Sequence, residues 1–241
     1  MRMTRSAFAF VLAAAALPCV AGADEARPTR LTADLGYVNT GGNSDVTTVS
    51  GTDKLEQRAG SWRFTQEAGA VWGETGGVES AGRYGFGLRA DRNLGERLSA
   101  YGLASWKRNT FAGISRQFDE GLGLAWHAVT AKPHLLDLEG GAGLIQRRTT
   151  LDQDESFATA RAGALYAYKF SEKSRLEARG AYLVNLEDSD DSEGNARLSL
   201  TAPVSGSLAL KLSYDFLYRN RPLPGLEKLY TTFSVGIQVA F

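Results

Sequence analysis

The chain has 241 residues, 43% of them hydrophobic, with 27 Lys and Arg against 27 Asp and Glu, so it lacks the basic excess that marks a nucleic-acid partner. Its single cysteine, Cys19, excludes a disulfide framework. After Ala23 no apolar run approaches the ~20 residues of a membrane-spanning helix, yet so large an apolar fraction must be buried somewhere.

The amino terminus reads as a secretory signal peptide over residues 1–23. Arg2 and Arg5 precede an apolar run from Ala7 to Ala21, and the small residues Ala21, Gly22 and Ala23 offer a cleavage site. Pro18 and Leu17 fit a lipid-anchored Cys19 badly, so the cysteine is expected to leave with the leader. The mature chain then starts at Asp24, has 25 cations against 27 acids, and must be held together by a large core, a metal or a membrane.

From there, apolar residues recur at spacing two, and the breaks are rich in Gly, Pro, Asn, Asp and Ser, which predicts strands and turns throughout. Twelve strands are expected, near 29–38, 46–56, 61–72, 81–93, 97–109, 117–129, 134–148, 156–170, 174–186, 194–203, 207–220 and 229–241. The second and fifth alternate weakly. The eleventh is the clearest: Leu208, Leu210, Leu212, Tyr214, Phe216 and Tyr218 share one face, and Lys211, Asp215 and Arg219 the other. The ninth sets Leu176, Ala178, Tyr182 and Val184 against Arg175, Glu177 and Arg179, and the last alternates Phe233, Val235, Ile237, Val239 and Phe241 with small or polar residues.

Alternation alone also fits a soluble barrel that binds an apolar ligand. Three features favour lipid. Trp62 and Trp72 share a face ten residues apart, a rise of roughly 23 Å at a ~45° tilt, close to the ~25 Å apolar band of outer-membrane barrels. With the amino terminus in the periplasm, gaps such as "QRAGS" and "PVSG" fall inside and the generally longer "GETGGVES", "TTLDQDE", "EDSDDSEG" and "NRPLPGLEK" fall outside. Twelve strands also enclose more space than a soluble barrel fills with side chains. The expected fold is therefore an all-β, transmembrane antiparallel β-barrel of about twelve strands over residues 24–241, in the outer membrane of a Gram-negative bacterium.

Two blocks carry a family likeness: "GYVNTGGNSDVTTVSGTDKLEQRAGSWRFT" and "ESAGRYGFGLRADRNLGERLSAYGLASWKRNTFAGISRQFDEGLGLAWH". They resemble the YdiY-like family, named as salt-induced outer membrane proteins. The likeness rests on Gly42, Asn43 and Ser44 before a Thr/Ser-rich strand, on Arg83 and Tyr84, and on Phe111 to Ile114 ahead of Gly121 to Gly123. It extends from Leu31 to Phe241 and implies an outer-membrane barrel, with no catalytic residues to carry over. Phe241 resembles the carboxy-terminal aromatic of such barrels, which implies recognition by the barrel assembly machinery.

Little in the sequence points to an enzyme or a cofactor. Catalysis at the rim would need a nucleophile and a carboxylate at a histidine. Only His127, expected in the lumen, and His134, expected in a turn, are available. The acidic stretch "EDSDDSEG" fails the calcium-loop template, because position six from Asp188 is Glu193 and position twelve is Ser199. Arg147, Arg148, Arg219, Arg221 and Lys228 lie where they would meet lipopolysaccharide phosphates.

The lumen holds the main expectation. By parity it collects Arg63, Arg83, Arg89, Arg161, Lys169, Arg175, Arg179, Arg197, Lys211 and Arg219, with Asp34, Glu67, Asp91, Glu139, Glu177 and Asp215. Inward placement avoids the ~2–4 kcal/mol that Arg or Lys costs on the lipid face at mid-depth. Separate arginine and acid ladders would line a narrow water-filled channel, whereas interlocked pairs would brace a structural envelope barrel.

Overall fold

The computed structural model describes residues 29–40, 46–171 and 174–240. The expected signal peptide, Cys19 and Phe241 lie outside the described residues.

Twelve antiparallel strands follow one another around the sheet: β1 (Thr29–Thr40), β2 (Val46–Ala59), β3 (Trp62–Thr75), β4 (Val78–Asn93), β5 (Leu98–Asn109), β6 (Ile114–Val129), β7 (His134–Thr149), β8 (Asp154–Lys169), β9 (Arg175–Asn185), β10 (Ser192–Ser205), β11 (Leu208–Arg219) and β12 (Leu229–Ala240). β1 pairs with β12 and closes the cylinder, leaving no open edge for the backbone to satisfy in lipid. A short 3-10 turn, Thr110–Ala112, separates β5 from β6; Asn109 accepts the Ala112 N–H at 3.1 Å and Gly113 ends it at φ 75°.

The greasy faces point outward. Leu122, Leu124, Phe233, Leu208, Leu210 and Phe216 are all exposed, while Asp91, Arg147, Glu193 and Arg219 are buried, the reverse of a soluble core. Trp62 and Trp72 are both outward, near opposite ends of β3. The expected rhythm of short inner and long outer connections holds only in part. The gap between β3 and β4 is a two-residue turn at Gly76 and Gly77, with φ of 59° and 78°, a geometry that twists with the strands and needs positive φ at both positions. β4 therefore begins at Val78, earlier than its pattern suggests. His134 opens β7, and its Nδ1 lies 2.8 Å from the Tyr166 hydroxyl, so it belongs to a strand and not to a turn.

Two further differences concern faces. The oily wall is interrupted, because register sets Asp53 beside Ala68, Gln66 beside Leu88 and Glu120 beside Leu144, all outward. The interior in turn takes apolar side chains. Tyr101 and a cluster of Ile145, Phe157, Ala181 and Leu183 are buried inside the β5–β9 wall.

Candidate functional site: an ion-paired lumen

Strand alternation delivers the charges to the interior, and the barrel's circumference decides which of them meet. β3 and β9 stand six strands apart in a twelve-stranded ring, yet Arg179 reaches Glu67 at 3.3 Å. That pair spans the lumen. Glu67 also lies 3.5 Å from Lys54, and Glu177 lies 3.5 Å from Arg179 and 3.8 Å from Arg175, so charges alternate across the middle of the barrel. On one side Arg83 of β4 and Arg197 of β11's neighbour β10 share Asp215, at 3.6 Å and 2.5 Å. Lys211 pairs with Asp34, which also accepts from Gln238 at 2.8 Å and Thr52 at 3.1 Å.

On the other side Arg89 donates to Glu139 at 2.8 Å and to Asp91 at 2.9 Å, and lies 4.1 Å over the Tyr101 ring. Arg161 joins Glu139 at 3.5 Å, and Arg63 joins Asp91 at 3.5 Å. Tyr101 can lie flat there because the wall beneath it is glycine. A Cβ at Gly123 or Gly141 would come within 2.5 Å and 2.7 Å of its hydroxyl oxygen. This half of the lumen is therefore packed. Along β10–β2 a cavity of about 70 Å³ remains, lined by Ser50, Thr52, Ser213, Thr232 and Ser234 with Arg83, Arg197 and Asp215. It has room for more than one water, a single one needing ~10–15 Å³.

The loop end is latched. Lys107 of β5 reaches Glu193 of β10 at 2.6 Å, and Arg147 meets Glu193, Asp191 and Glu155 at 3.6, 3.8 and 3.3 Å. Arg219 donates to the Ala112 carbonyl at 2.9 Å, and Leu223 and Leu226 cover Gly113, so the 220–228 loop leans over the mouth. Arg147, expected at the lipid rim, and Arg219, expected both there and in the lumen, are buried in this latch. Arg221 takes Asp188 and Asp190, which occupies two carboxylates of the acidic loop. Among the described residues no group of three or more His, Cys, Asp or Glu could hold a metal.

The predicted lumen residues thus fall into linked pairs: Arg63, Arg89 and Asp91; Arg161 and Glu139; Arg175, Glu177, Arg179 and Glu67; Arg83, Arg197 and Asp215; Lys211 and Asp34. Separate ladders are absent among the described residues, because these arginines find carboxylates across the ring, on a neighbour or on their own strand, while Arg219, also expected in the lumen, donates to the Ala112 carbonyl. Sequence reasoning missed Ser99 and Asp137. His127 Nε2 lies 3.0 Å from Ser99 Oγ, and its Nδ1 lies 2.7 Å from Asp137 Oδ1, at the turn end of β5, β6 and β7. The signal was partial: the tight 130–133 turn brings the two strands together, but a bulge between His127 and Val129 shifts the register by one and so sets His127 opposite Asp137.

A family profile matches residues 33–241, nearly all of the described barrel, under the description "Protein of unknown function, DUF481". The chain belongs to the DUF481 family. Its fold is shared with solved outer-membrane proteins. An outer-membrane channel from Pseudomonas putida F1 aligns with a TM-score of 0.54 at 10% identity, over 93% of this chain and 98% of that one. The NanC porin aligns with a TM-score of 0.53 at 12% identity, over 88% of this chain and 98% of that one. At these identities the likeness of the DUF481 chain is one of fold: a closed transmembrane barrel of the outer-membrane type. Among curated proteins it has no significant match.

Proposed function

We propose that this DUF481 protein is a narrow passive channel for small solutes in the outer membrane, of the YdiY-like kind, without a cofactor or an enzymatic activity. Its leader would be cleaved on export, and its last strand, ending at Phe241, would be handed to the barrel assembly machinery. The observation that supports conduction is the cavity along β10–β2, left open beside the Arg83–Asp215–Arg197 and Lys211–Asp34 ion pairs. Water and ions pass through charged constrictions when binding is weak and multiple, and a lumen of shared carboxylates supplies such sites.

A second reading, a structural envelope barrel, draws support from the same cross-lumen pairs. Single-channel recording on refolded protein separates the two. Small, persistent conductance steps are expected, increased in Glu67→Gln/Arg179→Gln, which removes the bridge without adding bulk. A silent wild type together with a silent double variant over a wide voltage range would leave only the structural barrel. The rim hydrolase is disfavoured because Ser99 is fully buried and sits at the turn end, where no carbonyl carbon can reach its oxygen.

A further inference from the structure

The outer wall of β4–β7 is unlike the rest of the barrel. Among the described strand residues, the outward-facing cations are Arg92, Arg108, Arg116 and Arg148, and the last three sit together at the loop end of adjacent strands. Arg116 lies directly opposite Arg148, an arrangement of like charges that destabilises a sheet unless an anion is shared. Asp154 answers part of this, 3.9 Å from Arg116 and 3.7 Å from Arg148, and Asp152 lies 3.2 Å from Arg148. Three guanidinium groups still face two carboxylates, and among the described residues Arg108 has no ion pair.

Below the arginines runs a row of Trp106, Phe118 and Gln146, and below that a row of Ala104, Glu120 and Leu144. Here the wall is hollow. A groove of about 890 Å³ has Ala90, Gly102, Ala104 and Ala142 among its small residues and Leu88 and Leu144 among its large ones. Ala104 is four residues from Arg108, ~13 Å along the strand and roughly 9 Å in depth at a ~45° tilt. That is the place of an acyl chain whose headgroup rests at the rim. Glu120 lines the same groove, and a carboxylate facing plain hydrocarbon is unfavourable, so the occupant has to bring a hydrogen-bond donor.

We infer that this wall binds the lipid anchor of lipopolysaccharide. Its phosphate is held by Arg108, Arg116 and Arg148, one acyl chain fills the groove, and an amide N–H or chain hydroxyl near the headgroup donates to Glu120. A phosphate accepts several guanidinium donors at once through charge-assisted bonds. The site does not depend on whether the lumen conducts.

Native mass spectrometry of the full protein in detergent, with the purified lipid anchor or phosphatidylglycerol at equal concentration, tests it. The wild type should retain the anchor in preference to phosphatidylglycerol. The Arg108→Gln/Arg116→Gln/Arg148→Gln variant should retain it about tenfold less, the effect of losing at least one charge-assisted contact. Ala104→Phe, which fills the groove with the arginines intact, should do the same. Ala196→Phe, on the far wall, should not. Glu120→Leu should erase the preference over phosphatidylglycerol. Heat-shifted gel mobility would show that each variant is folded. Unchanged retention in the triple variant or in Ala104→Phe would overturn the assignment, as would equal loss in Ala196→Phe or equal wild-type binding of the two lipids.

Discussion

Ser99, His127 and Asp137 have the spacing of a charge-relay trio, and the residue scale is where that likeness has to be judged. A nucleophile needs room for a carbonyl beside its oxygen and donors aimed at the developing oxyanion. Ser99 has 0% of its surface exposed, and the backbone donors around it are engaged in strand pairing. The trio is better understood as a brace, tying three strands through two side-chain hydrogen bonds. Ser99→Ala is then expected to lower stability by about 1 kcal/mol, read as a lower urea midpoint for the loss of heat-shifted mobility. Serine-reactive fluorophosphonate probes should leave the wild type unlabelled, and labelling at Ser99 would refute the brace. The same scale shows what a single chain can disclose. Parity placed Arg179 and Glu67 inside, because alternation is local. Their meeting across six strands depends on closure and on the length of two side chains, which no local pattern records. Asp53, Gln66 and Glu120 were hidden for the opposite reason. Each is a polar residue in a strand whose mid-wall outward positions are mostly apolar, and it is the paired register that shows them facing lipid, with Gln66 donating to Asp53 at 2.9 Å.

At the scale of elements the strands were legible almost to their ends, since each carries a period of two bounded by turn residues. The weak cases, β2 and β5, are weak for physical reasons. β2 carries polar residues on both faces, with Ser50 and Thr52 inward and Asp53 and Gln57 outward, and β5 puts Tyr101 and Leu103 into the lumen, so both of its faces read as apolar. What the period does not reveal is curvature. β6 and β7 approach so closely that a Cβ at Gly141 would fall 2.3 Å from the Leu122 carbonyl oxygen and 2.7 Å from the Tyr101 hydroxyl, and one at Gly143 would fall 2.3 Å from the Glu120 carbonyl oxygen. Backbone atoms cannot yield as a side-chain tip can. Glycine at these sites lets the wall bend inward under Tyr101, which is why half of the lumen is packed. Gly141→Val should therefore cost about 3 kcal/mol or more, seen as loss of the compact band on unheated gels. Adding Tyr101→Phe should not restore it, because the carbonyl contact remains. Restoration by the second change would mean that the hydroxyl alone sets the limit.

The whole molecule stands on a seam. β1 meets β12 through the pairs Thr32–Ala240 to Gly36–Gly236, a shorter described register than the one from Leu208–Val239 to Tyr218–Leu229 that joins β11 to β12. Every other neighbour is joined by a sequence-local hairpin, whereas this contact links the two ends of the chain and pays the full loop-closure entropy. Barrel formation should thus be cooperative, with the seam forming last and opening first. Leu35 and Ile237 are direct partners on the outer face, with Cα atoms ~4.5–5.5 Å apart in such pairs, within the span of a disulfide. Cys19 is the single cysteine of the sequence, so a Leu35→Cys/Ile237→Cys variant made in a Cys19→Ser background reports closure without competition. It should cross-link on mild oxidation of the folded protein, and the link should slow urea unfolding by holding shut the contact that opens first. Reduction should restore the wild-type rate. If the folded variant stays reduced under conditions that link a Leu55→Cys/Leu31→Cys control across the β1–β2 hairpin, the sheet is open at β1 and β12, and the closed cylinder that confines the ion pairs is wrong.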